Sequence, residues 1–116
     1  QGRLMATRII NAGASLSDTS LTTVYTCPAN YKSIIKELWL TNVDGTNAVD
    51  TTVKWTDDSN SDTAYAIIST KSIAADSYLR IDGANIVLES GDTLKVQAGA
   101  ANDLSVSAFI EEIYTP

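Results

Sequence analysis

From Thr7 to Tyr114 the chain runs in short stretches in which hydrophobic and polar positions alternate, and clusters of Gly, Asn, Asp and Ser part these stretches about every ten residues. No stretch carries a helical period. Leu104, Val106, Ala108 and Ile110 point one way, and Ser105, Ser107, Phe109 and Glu111 the other, which predicts a strand with one buried face and one that is wetter or in contact. Leu94, Val96 and Ala98 repeat the device against Thr93, Lys95 and Gln97. Ile34, Lys36, Leu38 and Leu40 alternate with Ile35, Glu37, Trp39 and Thr41; apolar bulk on both faces predicts a central strand. Val53 and Trp55 set among Thr52, Lys54 and Thr56, and Tyr65, Ile67 and Ser69 set among Ala64, Ala66 and Ile68, predict two more, joined by a hairpin loop over residues 57–62.

Turn chemistry falls between the runs. Asp44-Gly45, Asp82-Gly83 and Ser90-Gly91-Asp92 supply residues that tolerate positive φ or cap their own backbone. Pro28 follows a strand running from Leu21 to Cys27, and Pro116 closes the chain, so neither removes an N–H from a central strand. Roughly eight or nine strands result, and the expected fold is all-β: a single-domain, jelly-roll-like antiparallel β-sandwich of about eight strands.

The sandwich is expected over residues 14–116, preceded by an N-terminal arm over residues 1–13. Gln1 to Leu4 stand ahead of Met5-Ala6, a sequence suited to a native start, and are read as an added remnant or a processed leader. The arm is basic at Arg3 and Arg8 and apolar at Leu4, Ile9 and Ile10 on an otherwise acidic chain. These five residues are the candidate contact with a neighbouring subunit.

Composition narrows the function classes. Eight basic against fourteen acidic side chains leave a net charge of -6 on 116 residues, so a phosphate backbone or an anionic membrane is a poor partner. There is no apolar run of the roughly 20 residues that cross a bilayer, and no signal-peptide pattern, so a soluble protein is expected. With no histidine, the Ser-His-Asp and Cys-His relays and histidine-ligated zinc are out of reach. The single cysteine, Cys27, cannot form an internal disulfide and sits in an apolar-alternating run; a buried structural thiol is expected over a nucleophile.

Other candidate chemistry is thin. Residues 57–62 and 44–50 concentrate the oxygen ligands that Ca²⁺ prefers, but the first lacks the glycine and the bidentate glutamate of an EF-hand loop, so a solvated hairpin is expected and no metal or cofactor is assigned. Glu111 and Glu112 are adjacent, point to opposite faces of a strand, and cannot form the acid pair of a glycosidase. Trp39, Trp55, Tyr65 and Tyr78 could stack on sugar rings if exposed, though core or interface packing is the plainer reading. The glycines are isolated in turns, and no phosphate-cradling loop occurs.

Three segments carry a resemblance. Tyr25, Pro28 and Ala29 match a Y-x-x-P-A-x-K-like entry; Ile35, Leu38 and Asn42 match an I-x-x-I-x-x-x-N strand; Leu88, Gly91, Asp92 and Leu94 match an L-x-x-G-D-x-L hairpin. Together, over about residues 21 to 114, they resemble the small β-sandwich structural proteins of tailed bacteriophages, with Asn30-Tyr31 standing where that pattern has glycine before its lysine. The resemblance implies a non-enzymatic virion structural protein, a capsid decoration or cement protein that binds the major capsid protein between subunits at the capsid surface and forms a homo-oligomer, commonly a trimer. A tail, fibre or receptor-binding component and a carbohydrate-binding module are the alternatives.

Overall fold

The computed structural model describes residues 6–116, apart from the side chain of Ala84. Eight strands follow one another: β1 (Thr7–Ser15), β2 (Thr22–Thr26), β3 (Tyr31–Asn42), β4 (Val49–Asp57), β5 (Thr63–Ile73), β6 (Tyr78–Leu88), β7 (Thr93–Ala98) and β8 (Leu104–Tyr114). A single 3-10 turn at Asp58–Asn60 lies in the β4–β5 hairpin, where the Asp57 carboxylate accepts from the Ser59 N–H. The strands form two four-stranded sheets. Sheet A has the order β1-β8-β3-β6 and sheet B the order β2-β7-β4-β5, with antiparallel neighbours throughout. Chain neighbours fall in opposite sheets except at the β4–β5 hairpin, which is the jelly-roll arrangement.

The inner faces meet in one core. Leu104, Val106, Ala108 and Ile110 of β8 and Leu94, Val96 and Ala98 of β7 are buried there, as their alternation predicts. Leu38, Leu40, Val53 and Leu88 complete the centre. Each such leucine contributes about 1.5–3 kcal/mol by leaving water. Cys27 is buried and unpaired, and burial pushes its thiol up.

Two expectations are corrected. β3 does not alternate uniformly: Ser33 and Ile35 are buried, then Leu38, Leu40 and Asn42. The pairing with both β8 and β6 shifts between Ile35 and Glu37, so Lys36 is the extra residue of a bulge and the inward phase changes there. Asp82-Gly83, expected to separate two strands, lies inside β6. Residues 83–85 are its side of the same bulge, and Gly83 and Asn85 have φ of 69° and 50°. Glycine and asparagine tolerate that left-handed geometry in a bulge as well as in a turn.

Gly91 is at the tight turn before β7. Its φ is 88°, and a Cβ there would lie 2.7 Å from Cγ of Asp58. Gly91→Ala is therefore expected to cost about 1–3 kcal/mol, through backbone strain and displacement of Asp58. Chemical denaturation checks it, and an unchanged midpoint would show that the turn relaxes freely.

The segment from Thr7 onward is a sheet strand. All nine residues of β1 pair in unbroken register with β8, so a boundary at residue 13 falls inside the strand.

Candidate functional site

With both inner faces spent on the core, chemistry or recognition must sit on the outer faces, the sheet edges or the ends of the sandwich. The strand registers lay out the outer face of sheet A in rows. Across β1, β8, β3 and β6, one row reads Gly13, Ser107, Trp39, Arg80; the next Asn11, Phe109, Glu37, Asp82; the next Ile9, Glu111, Ile34, Val87. Ile9, Tyr78, Val87 and Phe109 are large hydrophobic side chains left exposed, Ile9 to 75%. Glu111 lies between Ile9 and Ile34 in that last row, with Phe109 two residues away on β8 and Val87 beyond Ile34, and its carboxylate is 3.9 Å from the Lys36 ammonium. Side chains on neighbouring strands stand within about 4.5–8 Å of one another, directly or diagonally, so these form one apolar area with a charged centre and rim.

Toward the other end of that face the polar groups are tied together. Arg80 is 3.0 Å from Glu37 and 3.1 Å from Asp82, and its guanidinium lies 5.1 Å from the centre of the Trp39 ring. The Trp39 indole N–H donates to Glu37, and its ring packs against Tyr78 at 5.1 Å. Hydrogen bonds from Arg80 and then Trp39 hold the Glu37 carboxyl below its usual range.

The outer face of sheet B differs in kind. Thr23, Lys95 and Gln97 line its β2–β7 side, where the Lys95 ammonium donates to Thr23 and the Gln97 amide donates to the Thr19 carbonyl. A cleft of about 340 Å³ opens between Thr19, Asp50, Thr52, Thr70 and Gln97. Asp50 is the one ionisable group on its wall, too little for acid–base chemistry by a pair of groups.

One end of the sandwich holds a buried polar chain. Glu112, inward on β8 and 2% exposed, is 2.5 Å from Arg8 Nε and accepts from the Tyr25 hydroxyl. The Ser33 hydroxyl is 2.6 Å from the Tyr25 oxygen and 3.1 Å from the Cys27 sulfur, and the Cys27 thiol donates to the Tyr31 carbonyl. Because Tyr25 gives its proton to Glu112, Ser33 donates to Tyr25 or to Cys27. Burial, and after it Glu112, push the Tyr25 phenol well up. The Arg8 guanidinium also lies 4.4 Å from the centre of the Tyr31 ring.

Arg8, Ile9 and Ile10 all lie on β1, but they do different things. Arg8 is committed to Glu112 and Tyr31, Ile10 packs against the core, and Ile9 alone stands outward in the apolar area. Arg3 and Leu4 lie outside the described residues. Among the described residues no group of three acidic or cysteine side chains could hold a metal ion, and Asp57 and Asp44 spend oxygens on their own loops. Trp55 stacks on Tyr65 at 5.1 Å, so both tryptophans have ring partners within the chain.

No family model matches the chain, and no curated protein is found as its relative. Solved structures do match. A chain of the disulfide-linked pili of Bacillus endospore appendages aligns with a TM-score of 0.56 at 14% identity, over 99% of this chain and 91% of that one. A chain of the extra small virus particle of the giant freshwater prawn Macrobrachium rosenbergii aligns at 0.53 and 12% identity, over 100% and 83%. A chain of the infectious bursal disease virus particle aligns at 0.56 and 9% identity, over 94% of this chain and 31% of its own length. The shared property is the jelly-roll sandwich.

Sequence reasoning named Phe109 as outward but did not assemble its neighbours. Ile34 and Val87 join it only because the Lys36 bulge sets the phase of β3, and Ile9 only because β1 pairs with β8. The alternation of β8, the apolar bulk on both faces of β3 and the choice of Ile9 as a contact residue were the available signals, and none of them joined these residues into one area.

Proposed function

We propose that the protein is a non-enzymatic structural subunit of a virion, a capsid decoration or cement protein that self-associates and binds the major capsid protein at the capsid surface. The observation that carries this reading is the apolar area of Ile9, Ile34, Val87 and Phe109 on one outer face of a jelly roll whose other outer face is polar. An apolar area that encloses the Lys36–Glu111 ion pair and is bordered by Glu37 has the make-up of a protein contact, because exposed apolar side chains gathered on one face mark an interaction surface. The structural neighbours that build virus particles and pili support an assembly role on the same fold. A disulfide-linked assembly is not favoured, because the one cysteine is buried and hydrogen-bonded inside the domain. Many copies on a lattice add their contacts, so modest affinity per subunit suffices.

The test is co-sedimentation with undecorated phage heads, using Phe109→Asp and Val87→Asp. Both side chains are exposed, so each variant should keep its stability within about 0.5 kcal/mol while binding at least tenfold more weakly. Variants that bind heads as well as the parent would overturn the assignment of this face. A parent protein that ignores heads but captures a tail protein, a host surface or a glycan would overturn the decoration reading itself.

A further inference from the structure

We propose that β1 pairs antiparallel with β1 of a second copy, about a twofold axis beside Asn11, joining the two A sheets into one continuous sheet. The inference rests on the self-association proposed above and names its contact.

A sheet edge invites another strand unless something blocks it. The other three edges are blocked. β2 has five residues and a register shift at Val24. β5 is broken in register against β4, and Thr70, with φ of 52°, gives its N–H to Thr52 Oγ1. β6 carries the bulge at residues 83–85 beside the charged cluster of Arg80 and Asp82. β1 has none of these devices: its nine residues run without a bulge, and no charge occurs from Ile9 to Ser15.

The ladder shows which groups the edge offers. Tyr114 N–H donates to the Ala6 carbonyl and Leu16 N–H to the Leu104 carbonyl, so the even-numbered positions of β1 bond to β8. The N–H and C=O groups of Thr7, Ile9, Asn11, Gly13 and Ser15 therefore point outward from the sheet. These five residues are symmetric about Asn11. Full overlap of two copies sets Thr7 against Ser15, Ile9 against Gly13 and Asn11 against Asn11, with about ten backbone hydrogen bonds. On the inward side it sets Ile10 against Ala12 and Arg8 against Ala14. Each bulky residue meets a small one, which is what makes a second copy of this chain the fitting occupant.

Charge agrees. On a chain of net charge -6, two copies repel over most of their surface, but this edge is neutral, and Arg8 is already paired with Glu112. Two copies of Arg8 would stand roughly 20 Å apart along the joint.

Light scattering of the full chain, with residue-resolved amide exchange, tests the pairing. The expected mass is twice the 12.4 kDa protomer, with slow exchange at Ile9, Asn11 and Gly13. Asn11→Pro removes an N–H that β8 does not use; it should return the mass to one protomer and expose the amides of Ile9 and Gly13, while Ile10, Ala12 and Ala14 stay protected. Asn11→Asp would face its own copy across the axis, so its dimer should be severalfold weaker at low salt and recover in high salt, with the monomer fold unchanged. A parent mass of one or three protomers, fast exchange at Ile9 and Gly13, or an intact Asn11→Pro dimer would overturn the pairing. A monomer that still sediments with heads overturns the pairing and the self-association it rests on but not the capsid binding; a trimer that sediments with heads overturns the pairing alone; a dimer that ignores heads supports the pairing and overturns the capsid reading.

Discussion

Asn42→Ala is expected to remove about 3 kcal/mol of stability, a large share of what a domain of this size holds in reserve. The Asn42 side chain is 0% exposed at the end of β3. Its amide donates to the Asn47 carbonyl at 2.9 Å and the Ile73 carbonyl at 3.0 Å, and its oxygen accepts from the Asp44 N–H at 2.9 Å. One side chain thus satisfies backbone groups of the β3–β4 loop and of the β5–β6 connection. Each group orphaned on truncation costs about 1–3 kcal/mol if it stays dry, and the loop groups nearer the surface recover part of that from water. Asn42→Asp is the sharper variant. It keeps the shape and the acceptor for Asp44, but turns a carboxylate oxygen toward two carbonyls, so it should be at least as destabilising. Urea midpoints of both variants check this; a loss below about 1 kcal/mol in each would mean that the loops hold themselves.

The same residue explains what was legible in the sequence. Asn42, Gly91 and Asp92 are among the positions that carry the resemblance to phage sandwich proteins, and each has a structural duty. Asn42 clamps two connections. Gly91 takes a left-handed turn beside Asp58, and Asp92, buried, accepts from the N–H groups of Asp58 and Glu89. Such positions report the fold, because a jelly roll needs those clamps whatever it binds. The outer face of sheet A carries no such structural duty, and no motif marks it.

The misread elements have a common cause. Ile34 and Ile35 are both apolar, so either phase of alternation suits the start of β3, and only its partners show that Lys36 is the extra residue. Gly83 and Asn85 carry the left-handed chemistry of a turn, which a bulge uses equally well. The regular run of β8 from Leu104 to Ile110 does point Glu112 inward, yet a carboxylate in that place makes sense only once Arg8, 104 positions away, and Tyr25 are beside it. Local pattern carries strand identity; burial of charge is settled by residues distant in sequence.

Glu112→Ala is expected to cost about 2–4 kcal/mol, and its neighbours decide how much of that is charge. Removing the side chain takes away the acceptor of the Tyr25 phenol, a charge-assisted bond, and leaves a gap between β8 and β2. Arg8, half exposed at the edge, is left solvated and adds little. Glu112→Gln keeps the shape and an acceptor for Tyr25, so it should lose less than half as much. Arg8→Ala also destabilises but from the other side of the pair, because it strands a carboxylate that is 3% exposed with one phenol donor for company. It should lower the denaturation midpoint clearly in the parent chain and hardly at all when Glu112→Gln is already present. That non-additivity, read from a double-mutant cycle, separates a charge pair from mere packing. Equal effects of Arg8→Ala in both backgrounds would show that the guanidinium works through its stacking on Tyr31 alone. The cycle also bears on the edge of the sheet: Arg8 is the side chain that ties the start of β1 to Glu112 of β8, so its loss should speed amide exchange at position 8 and Ile10 before it affects Ala12 or Ala14.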